Sequence, residues 1–457
     1  MKEHLETYKN RYFILLTLVG LFAYYLGISN MYFWIFLLLI RVSSFNRTEF
    51  GFFSLLVGTG IFGRMIPSKE IYLGTVLIFT FLGIVLLYRE MLYVIKKYSL
   101  SCVFLLLICF FFFFAFIAGP QTDYSYEKIS KAIVRLVLWT IAFLIYTRTQ
   151  SISNKRLSVA FLLLTMFYLS ECSQLYGVRP SSFLDTTFFR DFCHQLGRDE
   201  NNTAVVNYHT LSYLSLSSIV FWTLKRQFLK RDRMNTYLLC FVSFWIIAIS
   251  GARQTIFVFG LLTILRYILS KDSIITAGNT LKIFLFIFLF LSLISSFGSS
   301  YYETALDNKA DVGTRLHRDV NTPFLVMEIN PYWGIGFGGY PLYANKDYPH
   351  NFFLEIICEE GFIGLILFLF IILLYLISNR NKKYFRYVTV NNSYLFLLFI
   401  LFFAKAQISG DLTSSVSFLA VLLSFVDNKS IKKLGNNIEF GTLIIYFHHW
   451  KNFVHKA

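Results

Sequence analysis

The residues best suited to chemistry fall into a few short runs in the second half of the chain. Asn330–Gly339 reads NPYWGIGFGG, Tyr348–Glu355 reads YPHNFFLE, and Glu359–Gly364 reads EEGFIG. The glycines at 334, 336, 338 and 339 permit tight backbone with positive φ. Pro349 suits the first turn of a helix and Asp347 is placed to cap it, which puts His350 in that first turn. There the positive end of the helix dipole favours a neutral imidazole that can accept a proton, and free N–H groups can face an anion. Asn351, Glu355 and Glu359 follow at i, i+4 spacing, a polar stripe on an otherwise apolar helix. Arginines stand upstream: Arg253 in Ser250–Gln254 (SGARQ), Arg315 in Gly313–Arg315 (GTR), and Arg318. A guanidinium stays charged and can grip an anion with two prongs.

The elements that must position these residues are membrane helices. Hydrophobic residues make up 56% of the 457 and charged residues 15%, which excludes a disordered chain and argues against a soluble enzyme. Six Cys are too few for a disulfide scaffold, although Cys172 and Cys193 fall in one expected compartment and can pair. Apolar runs of spanning length recur, and an all-α polytopic transmembrane bundle of twelve to fourteen spans is expected. The spans are 12–28, 30–41, 50–63, 71–88, 101–118, 132–147, 157–174, 206–223, 236–250, 254–270, 280–297, 350–378, 391–408 and 412–426. Most of the 42 Lys and Arg fall in alternate connections, the pattern of cytoplasmic loops, so the net charge of +16 reads as topology with both termini inside. No cleavage site follows the first apolar run, which reads as a span and not as a signal peptide. The chain then divides into helices over 1–297 with a smaller periplasmic loop near 175–205, a large periplasmic loop over 298–349, helices over 350–426 and a basic cytoplasmic tail over 427–457. The large loop is patterned enough to be a folded element placed before a long late helix.

The order NP-x-x-GIGFG, PHN-x-x-L and E-x-G-x-x-G leading into a long apolar span resembles the O-antigen polymerase and ligase family. Those are integral membrane glycosyltransferases acting on undecaprenyl-pyrophosphate-linked glycans at the periplasmic face of the bacterial inner membrane. Ser250–Gln254 resembles the family's S-x-S-R segment, with Ala252 in place of the second Ser. Gly313–Arg315 resembles its G-R start without the following Trp, and fifteen residues separate Arg318 from Gly334. The resemblance covers about 190–370 and is specific mainly in 313–364. It implies His350, Arg253, Arg315 and Arg318 as catalytic residues. It implies Asn351, Glu355, Tyr340, Tyr348, Arg190 and Arg198 as substrate-binding residues. Its expected partners are lipid-linked oligosaccharides, membrane lipids and a chain-length regulator.

Other readings of the same residues stay open. Tyr340, Tyr343 and Tyr348 suit an interfacial aromatic belt as well as a sugar-stacking platform. Glu355 and Glu359 suit a wet crevice or a basic partner. Lys405, Gln407 and Asp411 suit a local ion pair, and Arg190 and Arg198 solvated loop charges. No His, Cys or carboxylate spacing suits a metal site, and no Walker or Rossmann fingerprint is present, so neither metal nor nucleotide cofactor is expected. The basic tracts lie in expected cytoplasmic loops, so nucleic acid is not expected as a partner. A ligase, transferring the glycan to lipid A-core, shares the His-Asn segment. A flippase would be expected to carry broken spans near the bilayer midplane.

Overall fold

The structure, a computed structural model, describes residues 2–28, 30–61, 69–149, 152–184, 188–189, 192–193, 208–223, 232–250, 252, 255–256, 258–262, 322–344, 348–349, 351–378, 393–408 and 412–425. These residues are all-helical, with no strand among them. In chain order the helices are α1 Lys2–Tyr25, α2 Met31–Ser43, α3 Arg47–Gly58, α4 Lys69–Lys97, α5 Ser99–Ala118, α6 Asp123–Arg148 and α7 Asn154–Leu175. A 3-10 turn, Pro180–Leu184, leads on to α8 Tyr208–Thr223, α9 Asp232–Ile249, α10 Thr322–Ile329, α11 Tyr340–Tyr343, α12 Phe352–Ser378, α13 Ser393–Ile408 and α14 Leu412–Leu423.

Five of these helices are long and apolar enough to cross a membrane: Gly74–Lys97, Ser99–Ala118, Asp123–Arg148, Asn154–Leu175 and Phe352–Ser378. By length and composition these five are candidate membrane spans, as in a polytopic membrane protein. Its lipid-facing surface follows from burial. Only 22% of the spanning windows of α4 and α12 is buried, although both are strongly apolar, so these faces need hydrocarbon as solvent. By contrast 89% of the α7 window is buried, and α7 is the central strut. Three expected spans are too short to cross by themselves. At 13, 12 and 12 residues, α2, α3 and α14 reach only about 20, 18 and 18 Å at 1.5 Å per residue. In α3 every residue from Gly51 to Gly58 is buried, so it fills the bundle against α4 and α6.

Small polar residues hold the neighbours of α7 close. Ser158 Oγ donates to the Ser218 carbonyl at 2.5 Å, Ser215 Oγ to the Ser243 carbonyl at 2.9 Å, and Ser218 and Ser243 hydroxyls meet at 2.9 Å. A hydroxyl adds little bulk and finds a backbone partner, which lets membrane helices approach where Leu would hold them apart. Aromatic stacks, Phe52 on Tyr146 and Phe161 on Phe221, fill the remainder.

At one end of the bundle, charged groups close α1, α2, α3 and α7 together. Arg41 donates to Asn10 Oδ1 at 2.5 Å and to the Arg156 carbonyl at 3.4 Å, and it lies over the Phe13 ring. Arg156 donates to the Ser44 carbonyl at 2.7 Å and pairs with Glu49 at 3.1 Å. Glu49 also closes a capping box with Asn46 and accepts from Ser153 N. The charge alternation assigns all of these residues to one side of the membrane, and they are in contact.

Candidate functional site

The opposite end is built around α6, α12 and the glycine-rich turn between α10 and α11. α6 begins at Asp123, two turns before the expected span, with a capping box in which Thr122 and Ser125 exchange side-chain and backbone bonds. That start places Lys128 inside the helix. On α12 the i, i+4 spacing puts Glu355 and Glu359 on one face, as expected. Both carboxylates converge on Lys128: its Nζ lies 2.6 Å from Glu355 Oε1 and 2.6 Å from each oxygen of Glu359. All three side chains are at most 1% exposed. The Phe337 ring lies 4.9 Å from the ammonium and covers it. The second oxygen of Glu355 accepts from Leu412 N, the first residue of α14.

Asn351 is the N-cap of α12. Its Oδ1 accepts from Phe353 N at 3.0 Å and Leu354 N at 3.1 Å, while its amide donates to the carbonyl and side-chain oxygens of Gln407 on α13. This corrects the expected start of the helix. The helix starts at Phe352, after Pro349, because Asn351 supplies the capping oxygen, while Asp347 and His350 lie outside the described residues. The polar stripe Asn351, Glu355 and Glu359 therefore ties α12 to α13, α14 and α6 in turn.

The glycine motifs interlock through backbone. α12 is broken at Gly361, where φ is 67° and ψ is −174°. In an unbroken helix Phe362 N and Ile363 N would donate to the carbonyls of Cys358 and Glu359. Here they donate instead to Pro331 O at 2.9 Å and Tyr332 O at 3.1 Å. The freed carbonyls of Cys358 and Glu359 accept from Ile335 N at 3.0 Å and Gly336 N at 2.8 Å. Four backbone groups that the break would orphan are thus satisfied by the turn, as a low-dielectric setting requires. No side chain fits this approach: a Cβ on Gly361 would strike the Tyr332 carbonyl, and one on Gly334 the Glu359 carbonyl. The turn also abuts α5 and α6, where a Cβ on Gly336 would lie 2.6 Å from Gly119 Cα and one on Gly338 2.7 Å from Ser125 Cβ.

The break lies level with the end of α5. Antiparallel ring contacts between α5 and α12 pair Phe104 with Tyr375 and Phe112 with Phe368, a register that brings Ala118 opposite Gly361. The 20 residues of α5 span about 30 Å, the hydrocarbon thickness, so the break sits at a membrane boundary and not at the midplane.

Of the expected site residues, the structure gathers Asn351, Glu355 and Tyr340 here and leaves Tyr348 half-buried nearby in sequence. Glu355 is buried, with one oxygen on Lys128 and the other on Leu412 N. Tyr340 is 1% exposed and packs with Val326, Met327, Ala344 and Cys358, because the α11 turn rolls it inward. His350, Arg253, Arg315, Arg318, Arg190 and Arg198 lie outside the described residues. Lys405 donates to the Ile61 carbonyl and Gln407 meets Asn351, while Asp411 lies outside the described residues. Cys172 and Cys193 are free thiols, both buried. The sequence reading missed Lys128 and also Arg135, one heptad on along α6, whose Nη1 donates to Thr413 Oγ1 at 3.0 Å and to its carbonyl at 3.2 Å. Among the described residues no cluster of His, Cys, Asp or Glu could hold a metal ion. Searches of family models, curated proteins and solved structures find no match to this chain.

Proposed function

We propose that this protein is a membrane glycosyltransferase of the O-antigen polymerase type, working at the periplasmic face of the bacterial inner membrane. One observation supports the reading best. The NPYWGIGFGG and EEGFIG runs, separate in sequence and both part of the resemblance, form a single hydrogen-bonded unit, and Asn351 of the PHN run caps the helix that carries it. A reaction between two lipid-linked glycans needs its proton acceptor held on rigid backbone at the membrane boundary. His350 immediately precedes that capped start.

In the proposed reaction an acceptor hydroxyl of one lipid-linked repeat attacks the anomeric carbon of the donor glycan. The bond from that carbon to the pyrophosphate oxygen breaks, and undecaprenyl pyrophosphate leaves with the electron pair. His350 takes the hydroxyl proton. Arg253, with Arg315 or Arg318, neutralises charge developing on the departing pyrophosphate. Lys128, Glu355 and Glu359 hold the frame and take no part in bond changes. The test is extension of lipid-linked repeats by the purified protein in detergent, beside the lipopolysaccharide gel of a strain lacking it. Extension in vitro and single-repeat chains on the gel are expected. Core without O-antigen, with no extension in vitro, would assign the protein to the ligase or flippase class instead.

A further inference from the structure

The corner where α4 ends, α5 begins and α6 ends gathers cations without counter-ions. Lys97 is the last residue of α4 and Arg148 the last of α6. The chain runs on from Arg148 to Ser153, which donates to Glu49, so the corner flanks the Arg41 cluster at that end of the bundle. The 20 residues of α5 separate it from the glycine-rich turn by about 30 Å, the width of the hydrocarbon core, which sets it at the other membrane boundary.

Two of its cations stand on one ring. The Arg148 guanidinium carbon lies 3.3 Å from the centre of the Tyr93 ring, and the Lys97 ammonium lies 5.4 Å from it and 5.6 Å from that of Tyr98. The aromatic faces draw each charge in and fix its place. They also hold the two charges less than about 9 Å apart, where like charges repel. Among the described residues neither Arg148 nor Lys97 makes a hydrogen bond or an ion pair. From Leu86 to Ser101 the sequence adds Arg89 and Lys96, both exposed, and one carboxylate, Glu90, whose Oε2 is shut from solvent without a partner. The corner therefore lacks an anion.

That anion has a way in and a place for a tail. Arg148 and Lys97 are partly exposed and Tyr93 is exposed, so the N–H donors of the stacked guanidinium can be reached. Such a fork matches two oxygens of one phosphate. Leu92, Val85 and Ile78 follow one another at seven-residue spacing on the side of α4 that carries Arg89 and Lys96, and all three are exposed. Only 22% of the spanning window of α4 is buried, so this stripe leads from the corner into hydrocarbon.

We propose that the corner binds an anionic phospholipid, its phosphate gripped by Arg148 with Lys97 beside it and its acyl chains laid along Leu92, Val85 and Ile78. The site stands without the glycosyl-transfer reading.

The full chain in detergent, stripped of lipid, is titrated with phosphatidylglycerol and phosphatidylcholine of identical acyl chains, and with glycerol phosphate, which has no acyl chain. Binding is read by native mass spectrometry and by the rise in melting temperature. Phosphatidylglycerol should bind about tenfold or more tighter than phosphatidylcholine, since each cation at a charged surface is worth about fivefold. Glycerol phosphate should bind far more weakly than phosphatidylglycerol. Arg148→Gln should erase most of the preference between the phospholipids, and Arg148→Lys, a charge without the fork, should keep part of it. Lys131→Gln removes the same charge at the Lys128 end and should leave the preference intact. Equal binding of the two phospholipids by the wild type overturns the proposal, and so does glycerol phosphate binding as tightly as phosphatidylglycerol; neither comparison needs a variant. A folded Arg148→Gln protein with the wild-type preference overturns it as well. So does an equal loss in Lys131→Gln, the mark of net charge alone.

Discussion

The two ends of the bundle use buried charge in opposite ways. At the Arg41 end, Arg41, Arg156 and Glu49 join α1, α2, α3 and α7, and the described helices there stay regular with their caps closed. At the Lys128 end, one ammonium faces two carboxylates, and the long apolar helix α12 breaks to exchange backbone bonds with a turn. The first arrangement only fastens. The second holds irregular backbone at a membrane boundary, where lipid exposure is tolerated only if every polar group is satisfied. Stability alone would not require a broken helix, so the Lys128 end is where function is to be sought.

The sharpest way to break that contrast is kinetic. His350→Ala and Arg253→Ala should each lower repeat extension by about 10²–10⁴ while the protein accumulates normally in the membrane, the usual cost of losing a general base or a phosphate clamp. Arg156→Ala at the other end should leave the rate per folded molecule unchanged. Equal rates in all three variants would remove the functional distinction between the ends.

Next comes the backbone exchange. Gly361→Ala places a Cβ against the Tyr332 carbonyl at a positive φ, with no flexible side chain to give way. A loss of about 4 kcal/mol or more is expected, enough to abolish accumulation of folded protein. Gly177 also has positive φ, 63°, with nothing within 4 Å of its would-be Cβ. There Gly→Ala should cost only about 1 kcal/mol, the backbone penalty alone. Monodispersity of the solubilised proteins on gel filtration separates the two.

The sequence disclosed the glycines and the i, i+4 stripe but not what they meet. Positive-φ positions leave a mark in residue type, because only glycine fits. The partner of a backbone N–H leaves none, so the pairing of 335–336 with 358–359 was invisible. Lys128 was hidden by a boundary. Asp123, Glu127, Lys128 and Lys131 make the start of α6 look like a loop, and its capping box uses Ser125 where a Glu or Gln would have announced it. α2 and α3 read as spans because apolar composition does not distinguish lipid from protein as the neighbour.

Charge removal gives the next smaller effect. Lys128→Met leaves Glu355 and Glu359 buried against each other and should cost about 3–5 kcal/mol in the melting of the solubilised protein. Adding Glu355→Gln and Glu359→Gln to it should restore part of that loss, since uncharged amides no longer repel. Arg156, 21% exposed at its side chain, should cost only about 1 kcal/mol on truncation, because Glu49 keeps its backbone donors. If the triple variant is no better than Lys128→Met, the cluster acts by shape and not by charge.

The smallest effect tests whether the capped start of α12 serves more than its own helix. Asn351 and Asn46 are both N-caps, so Asn→Ala at either should cost about 0.5–2 kcal/mol. Asn351 also reaches a second helix, through its amide to Gln407. Asn351→Asp keeps an oxygen for Phe353 N and Leu354 N and removes the amide donor, so it should restore melting while the tie to α13 stays cut. If that tie fixes the chain at His350, Asn351→Asp should melt like the wild type yet extend repeats several-fold more slowly, whereas Asn46→Ala should melt lower at full rate per folded molecule. Parallel losses of melting and rate in all three variants would reduce Asn351 to a helix cap, and the Lys128 end would differ from the other in its backbone alone.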